Sequence, residues 1–209
     1  ANYVSKHADR TKGPLRAAIA HDSRINSRAF AEKAASVLAA NGFIVHLSRD
    51  LRPTPFLSFA VRRLGCHTGI VVTASHNPKE YNGYKVYWDD GSQVVPPHDK
   101  GIIAEVDKVT GNEMVKSMKF DEAVAKGLVQ WMGAEMDDAY ITAIRAQRID
   151  AATIKSSSVR VVYTPLHGAG GTLAPQALKD WGFKEIHLEA DQMVPDGPFP
   201  TAASPNPEE

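Results

Sequence analysis

Gly69-Ile70-Val71-Val72-Thr73 is the stretch that most limits what this chain can become. It is short, rich in β-branched residues, and apolar at odd and even positions alike. A strand of that kind turns apolar side chains to both faces of its sheet, so both faces must be covered, and helices usually cover them. Leu15–Ala20 predicts a second short buried strand, followed by the polar turn His21-Asp22-Ser23-Arg24. Phe30, Ala34, Val37 and Leu38 then recur at three and four residues. That spacing predicts a helix to about Asn41, with Asn26 or Ser27 as its cap. Gly42 stands where a helix C-terminal glycine belongs. Phe43–Leu47 predicts another strand, Pro53 and Pro55 bracket a turn, and Phe56–Leu64 predicts a second helix. This alternation implies a three-layer α/β/α sandwich on a mainly parallel sheet.

Further along, Tyr84, Val86 and Trp88 alternate with Lys85 and Tyr87, which predicts a strand over Gly83–Trp88. Asp89-Asp90-Gly91 is a turn, and Gln93–Val95 could return antiparallel, so the sheet is expected to be mixed. His98–Thr110 and Gly133–Ile149 predict helices, the second with Met136, Tyr140 and Ile144 along one face. Gly111–Met132 is only weakly patterned. Ser156-Ser157-Ser158 marks a boundary that gives two domains, 1–155 and 156–209. The second opens with strand Val159–Tyr163, glycine loop His167–Gly171, helix Thr172–Trp181 and strand Phe183–Leu188, the start of another α/β domain. A unit that small rarely buries enough apolar surface to stand alone. After Asp191 the chain is rich in proline.

Lys+Arg and Asp+Glu each number 24 in 209 residues, so the formal net charge is zero. A general nucleic-acid binder would carry a basic excess, so nucleic acid is not an expected partner. No stretch approaches the roughly 18 apolar residues of a membrane helix, and the polar first sixteen residues lack the apolar centre of a signal peptide. The single cysteine, Cys66, rules out an internal disulfide framework and fits a reducing, cytoplasmic setting.

Thr73-Ala74-Ser75-His76-Asn77-Pro78 follows the central strand directly. Ligands of open α/β sheets bind outside the carboxyl ends of strands, so Ser75 lies where a reactive group belongs. A serine hydroxyl is a weak nucleophile unless a base or cation assists it, and His76 and Lys85 are the nearby candidates. Taken alone, each residue also has an ordinary reading. Ser-His-Asn-Pro is usually just a turn, Arg24 a solvated charge, and Lys85 an exposed position on a strand. His167-Gly168-Ala169-Gly170-Gly171 opens a helix, so its amides could meet a phosphate, or it could be a tight strand–helix turn. It matches neither the dinucleotide nor the P-loop pattern.

The joint pattern changes that balance. Thr73–Pro78 followed by Tyr81-Asn82-Gly83-Tyr84-Lys85 resembles the phosphoserine loop of the α-D-phosphohexomutases. Asn82–Gly91 and Pro97–Ile102 resemble the phosphoglucomutase/phosphopentomutase branch of that family. His21–Arg24, Arg52–Pro55, Thr164–Gly170 and Pro200–Glu208 resemble its flanking motifs, so the likeness runs from about Leu15 to Glu209. The resemblance implies that Ser75 carries a phosphoryl group and donates it to a hydroxyl of a sugar monophosphate. The bisphosphate so formed reorients and returns its other phosphate to Ser75. It further implies that Lys85 is the acid–base lysine, that His76 supports the reacting oxygens, and that Arg24 pairs with phosphate. Asn77 would shape the loop, and His167 would stand with the phosphate- and substrate-binding residues. The phosphate on Ser75 would be one ligand of a Mg²⁺, and a sugar 1,6-bisphosphate would be the activator.

Departures from the family are equally informative. The Asp-x-Asp-x-Asp-Arg string that completes the family's metal site is absent, as are its later sugar-specificity and phosphate-binding loops and the Leu-Arg-Gly segment before the first strand. The expectation is therefore the first domain and the opening of the second from a longer phosphosugar mutase, inactive alone, whose partners are the remaining domains of the same polypeptide and a small sugar phosphate. A non-catalytic α/β binding module that retains the loop is the alternative reading. A serine hydrolase using Ser75 and His76 is a third, and it lacks an acid partner.

Overall fold

A computed structural model describes residues 1–206 and 208. The chain runs α1 (Asn2–His7), β1 (Arg16–His21), α2 (Ser27–Ala40), β2 (Ile44–Ser48), α3 (Thr54–Arg63), β3 (Thr68–Val72) and β4 (Tyr84–Tyr87). It continues through α4 (His98–Val106), α5 (Phe120–Ala125), β5 (Val129–Met132), α6 (Ala134–Ala146) and α7 (Ala151–Ser156). The remaining elements are β6 (Arg160–Tyr163), α8 (Ala174–Trp181), β7 (Glu185–Leu188) and α9 (Ala190–Met193).

β1 to β5 form one sheet in the order β4-β3-β1-β2-β5. β1 pairs parallel with β2 and β3, and β2 pairs parallel with β5. β4 runs antiparallel on β3, so the sheet is mixed as expected, although the antiparallel partner is β3 rather than Gln93–Val95. All five residues of β3 are buried because helices cover both faces. Ile70 and Val72 join Ile19, Val45, Leu47 and Phe43 beneath α2 and α5. Val71 turns the other way, to Ala18, Ala20, Phe56, Leu57 and Val61 beneath α3 and α6. Phe43 and Phe56 are wholly buried, and truncating such a ring to alanine typically costs about 3–5 kcal/mol.

The chain leaves β1 towards β2 on one side and returns to β3 on the other. Its carboxyl end is therefore a topological switch point, where two crossovers diverge and leave a crevice. Asp22–Arg24 follows β1 and Ser75 follows β3, so both turns open at that crevice.

Several expectations change in detail. Asn26 holds the cap position of α2 but is left-handed (φ 66°) and makes no side-chain cap bond. Ser27 begins the helix and its hydroxyl turns back to Asp22 instead. The helix from His98 stops at Val106, short of Thr110. Gln93 forms a single antiparallel bridge to Tyr87 rather than a strand. The weakly patterned Gly111–Met132 contains both α5 and β5, the latter an edge strand set against β2.

β6 and β7 pair in parallel as a two-stranded sheet, with α8 between them in sequence. Leu173 and Ala177 pack into the cluster beneath α3 and α6, so this unit leans on the first. Arg145 of α6 and Asp180 of α8 add an ion pair between these two helices. Val159 and Val162 stay exposed. Pro207, part of the proline-rich motif, lies outside the described residues. No helix among the described residues is long and apolar enough to cross a membrane.

Candidate functional site

The loop after β3 is built to present one hydroxyl. Ser75 takes the left-handed conformation (φ 57°) that L side chains adopt only at a cost. Its amide donates to Thr73 Oγ1 at 2.9 Å. The Asn77 amide donates to the Ala74 carbonyl, and that of Tyr81 to the Pro78 carbonyl. Gly83 closes the loop by accepting from the Thr73 amide at 3.0 Å. A Cβ at Gly83 would lie 2.5 Å from the Thr73 carbonyl oxygen, so only glycine lets the chain pass there. Ser75, His76 and Asn77 are all solvent-exposed as a result.

Arg24 holds this loop from behind. The residue is 3% exposed. Its Nη1 donates to the Pro78 and Tyr81 carbonyls, both at 2.9 Å. Its Nη2 donates to the Ser75 carbonyl at 2.9 Å and the Asn77 carbonyl at 2.5 Å. Asp22 lies 3.5 Å from Nε and supplies the countercharge. Hydrogen bonds from a charged donor are worth about 1.5–3 kcal/mol each, so this is the strongest restraint on the loop. Asn82 stitches the same two turns together, donating to the Ile25 carbonyl and to Ser27 Oγ. The resemblance sets Arg24 against a phosphate; in the structure all four of its terminal N–H groups are engaged by loop carbonyls.

A cleft of about 400 Å³ lies in front of the loop, between the two units. Thr73 and Ser75 from the loop, Asp22 and Arg52 from the first unit, and Gly168 and Phe199 from the second are among the residues that line it. Arg52 is buried and grips Asp137 of α6 through two bonds, Nε–Oδ1 at 2.7 Å and Nη2–Oδ2 at 2.6 Å. Ser23, on the same cleft, has a buried hydroxyl without a partner among the described residues.

Lys85 sits on β4 directly opposite Val71, one of the residues that line the cleft. Cross-strand neighbours share a face of the sheet, with Cβ atoms about 5 Å apart. Its ammonium has no hydrogen bond or ion pair among the described residues, and Lys85 is not among the residues that line the cleft. His76 Nδ1 is 3.5 Å from Ser75 Oγ, too long for an aligned nucleophile–base pair. That geometry removes support from the serine hydrolase reading.

His167 is 2% exposed and turns away from the cleft. Its Nδ1 lies 2.9 Å from the Val194 carbonyl, which can only accept, so Nδ1 carries the proton. Nε2 then accepts from Thr201 Oγ1 at 2.8 Å. Both ring nitrogens are thus used inside the protein, so the binding role expected of His167 finds no free ring atom, while the adjacent Gly168–Gly170 does line the cleft. Asp22, Arg52 and Asn82 stood inside motifs that the sequence pointed to but were given no role of their own, and Phe199 was not singled out at all. Asn82-Gly83 carried a readable signal as a turn dipeptide; Phe199 carried none. Cys66 is buried and its thiol is pushed up to about 12, as suits a core residue. Among the described residues no three His, Cys, Asp or Glu side chains converge as a metal site.

The model for phosphoglucomutase/phosphomannomutase α/β/α domain I matches residues 1–113, and that for domain II of the same proteins matches residues 138–209. The chain is 38% identical over 194 residues to a probable phosphomannomutase of Haemophilus influenzae, covering 91% of this chain and 38% of that protein. It is 36% identical over 186 residues to human phosphopentomutase, covering 88% of this chain and 30% of that protein. It is 34% identical over 188 residues to a phosphoglucomutase of Staphylococcus saprophyticus, covering 90% and 34%. The chain thus spans about a third of the length of these curated relatives. Among solved structures, a putative phosphomannomutase from Thermus thermophilus matches with a TM-score of 0.74 at 25% identity, over 96% of this chain and 41% of that one.

Proposed function

The chain belongs to the phosphoglucomutase/phosphomannomutase family, and from that premise we propose that it carries the phosphoserine side of a phosphosugar mutase site. The supporting observation is the exposed Ser75 hydroxyl, held on a braced loop at the switch point of the sheet and facing a cleft between two units. Phosphoryl transfer depends mostly on positioning and charge neutralisation, and this loop is a positioning device.

In the proposed reaction the Oγ–P bond of phospho-Ser75 breaks and a P–O bond to a sugar hydroxyl forms. The Lys85 ammonium gives a proton to the departing Oγ, and the sugar hydroxyl proton replaces it on Lys85. The bisphosphate turns over in the cleft, and the same steps run backwards with its other phosphate. His76 and Asn77 flank the transferring group, while Gly168–Gly170 offers backbone to the distal phosphate. Substrates of this class are hexose 1- and 6-phosphates or pentose 1- and 5-phosphates, with a sugar 1,6-bisphosphate as activator. The setting is cytoplasmic, with no nucleic acid or membrane as partner.

A Mg²⁺ would add charge neutralisation at the phosphoryl group. The described residues do not form its site: the Ser75 phosphate is the ligand they offer, and no carboxylate trio accompanies it. The remaining ligands and the sugar-specific loops would come from further domains of the same polypeptide, so the 209 residues alone are expected to turn over glucose 1-phosphate only at background.

The test is to incubate the protein that carries this chain with glucose 1,6-bisphosphate and map the phosphate by mass spectrometry. Phosphate is expected on Ser75. Active protein with Ser75 unmodified and another residue labelled would overturn the reading.

A further inference from the structure

Beyond α9 the chain turns back across the first unit as a strap. Its two ends are held by His167, which donates to the Val194 carbonyl and accepts from Thr201. The Asp196 amide donates to the His167 carbonyl, tying the strap again to the glycine loop. At Gly197 the strap presses on the turn after β1. A Cβ there would lie 2.8 Å from the Ile25 nitrogen and 3.0 Å from the Ser23 carbonyl oxygen.

Two residues on, Phe199 is 5% exposed and left-handed (φ 53°), a conformation that a bulky side chain adopts only when its surroundings impose it. Its ring centre lies 5.7 Å from the Arg24 guanidinium carbon. A ring face at that distance attracts the cation and keeps water off it. The guanidinium so covered is the group whose four N–H bonds hold the carbonyls of Ser75, Asn77, Pro78 and Tyr81. Hydrogen bonds shielded from water are stronger than those water can contest.

We propose that Phe199 is a positioning residue for the Ser75 loop, acting through Arg24, so that the loop takes its working geometry only when the strap of the second unit is seated. Its consequence for phosphoryl transfer rests on the function proposed above; the mechanical link does not. Removing the ring admits water to the guanidinium, and the loop carbonyls then share its donors with solvent.

The experiment compares wild type, Phe199→Ala and Phe199→Tyr in the protein that carries this chain, by hydrogen exchange read peptide by peptide. Phe199→Ala is expected to speed exchange in residues 74–82 by about tenfold or more, through easier local opening, while peptides from β1 and β3 exchange as in wild type. Phe199→Tyr keeps the ring and should restore slow exchange. In turnover assays Phe199→Ala should lower kcat with little change in KM. Unchanged exchange at 74–82 in Phe199→Ala overturns the proposal, as does a rise shared by the strands or a failure of tyrosine to rescue. Exchange needs no turnover, so a responsive loop in a protein that never carries phosphate on Ser75 would sink the mutase reading and leave this link standing.

Discussion

Arg24 Nη2 donates to the carbonyl of Ser75 at 2.9 Å, so the residue proposed to carry the phosphoryl group is held through its own backbone. The guanidinium stands behind the loop, with its donors used for shape. Its charge therefore reaches a phosphate on Ser75 across the loop rather than through a direct contact. Arg24 therefore contributes both to the loop geometry and to the field at the hydroxyl, and a change there should disturb both.

Ser75 should reverse the usual order of alanine and glycine. Alanine normally outranks glycine because glycine loses more backbone freedom on folding. At φ 57° an L side chain is penalised instead. Ser75→Gly is expected to be more stable than Ser75→Ala by about 1 kcal/mol, the scale of the left-handed penalty. Urea denaturation of the two variants measures it, and equal midpoints would show that the loop relaxes. Neither variant should take up phosphate from a sugar bisphosphate.

Lys85→Met in the protein that carries this chain should lower kcat and kcat/KM together. An interaction made only in the transition state has that signature, and general acid–base groups contribute about 10² to 10⁴ in rate. Methionine retains most of the stem beside Val71, so melting temperature should hold. A fall in kcat of less than about threefold at unchanged stability would move the acid–base role away from Lys85.

Acid should weaken the fold in a window set by buried histidines. His21 ends β1 with Nδ1 3.0 Å from the Asp22 carbonyl and Nε2 buried without a partner among the described residues. Burial lowers its pKa, and that of His46, from the ordinary 6.5. Below about 6.5 the unfolded chain binds protons that the folded one refuses, so stability is complete above that pH and falls as pH drops through it. Each histidine contributes at most about 1.4 kcal/mol per pH unit. The urea midpoint should therefore drop between pH 7.5 and 5.5, and drop less in His21→Gln. Glu105, held at about 2 by Lys108 and Lys6, acts only at lower pH. An identical drop in His21→Gln would assign the effect elsewhere.

The sheet was legible where each strand carried its own signal. β1, β2 and β3 are apolar runs, and α2 and α3 have helical spacing, so their order implied a covered parallel sheet before any pairing was known. β5 was not legible: Gln130 is exposed between Val129 and a half-buried Trp131, and its strand conformation comes from pairing with β2. Of the proposed site, Ser75, His76 and Asn77 come from one contiguous motif, and Lys85 from the family resemblance, since alternation along β4 alone reads it as an exposed position. Arg24 and His167 were readable as residues of interest, but not by what they bind.

What the sequence determined by itself was therefore what neighbours along the chain carry: most of the elements, the loop that presents Ser75, and the kinship of that loop. Tertiary structure alone decided where the polar groups found partners. Arg24 reaches a carbonyl 54 residues away at Pro78, and His167 reaches Thr201 34 residues on. Most polar side chains buried by packing bond to whatever the fold brings within about 3 Å. Local sequence does not encode that proximity, so the same arginine reads as a phosphate ligand in the motif and stands as a loop brace in the molecule.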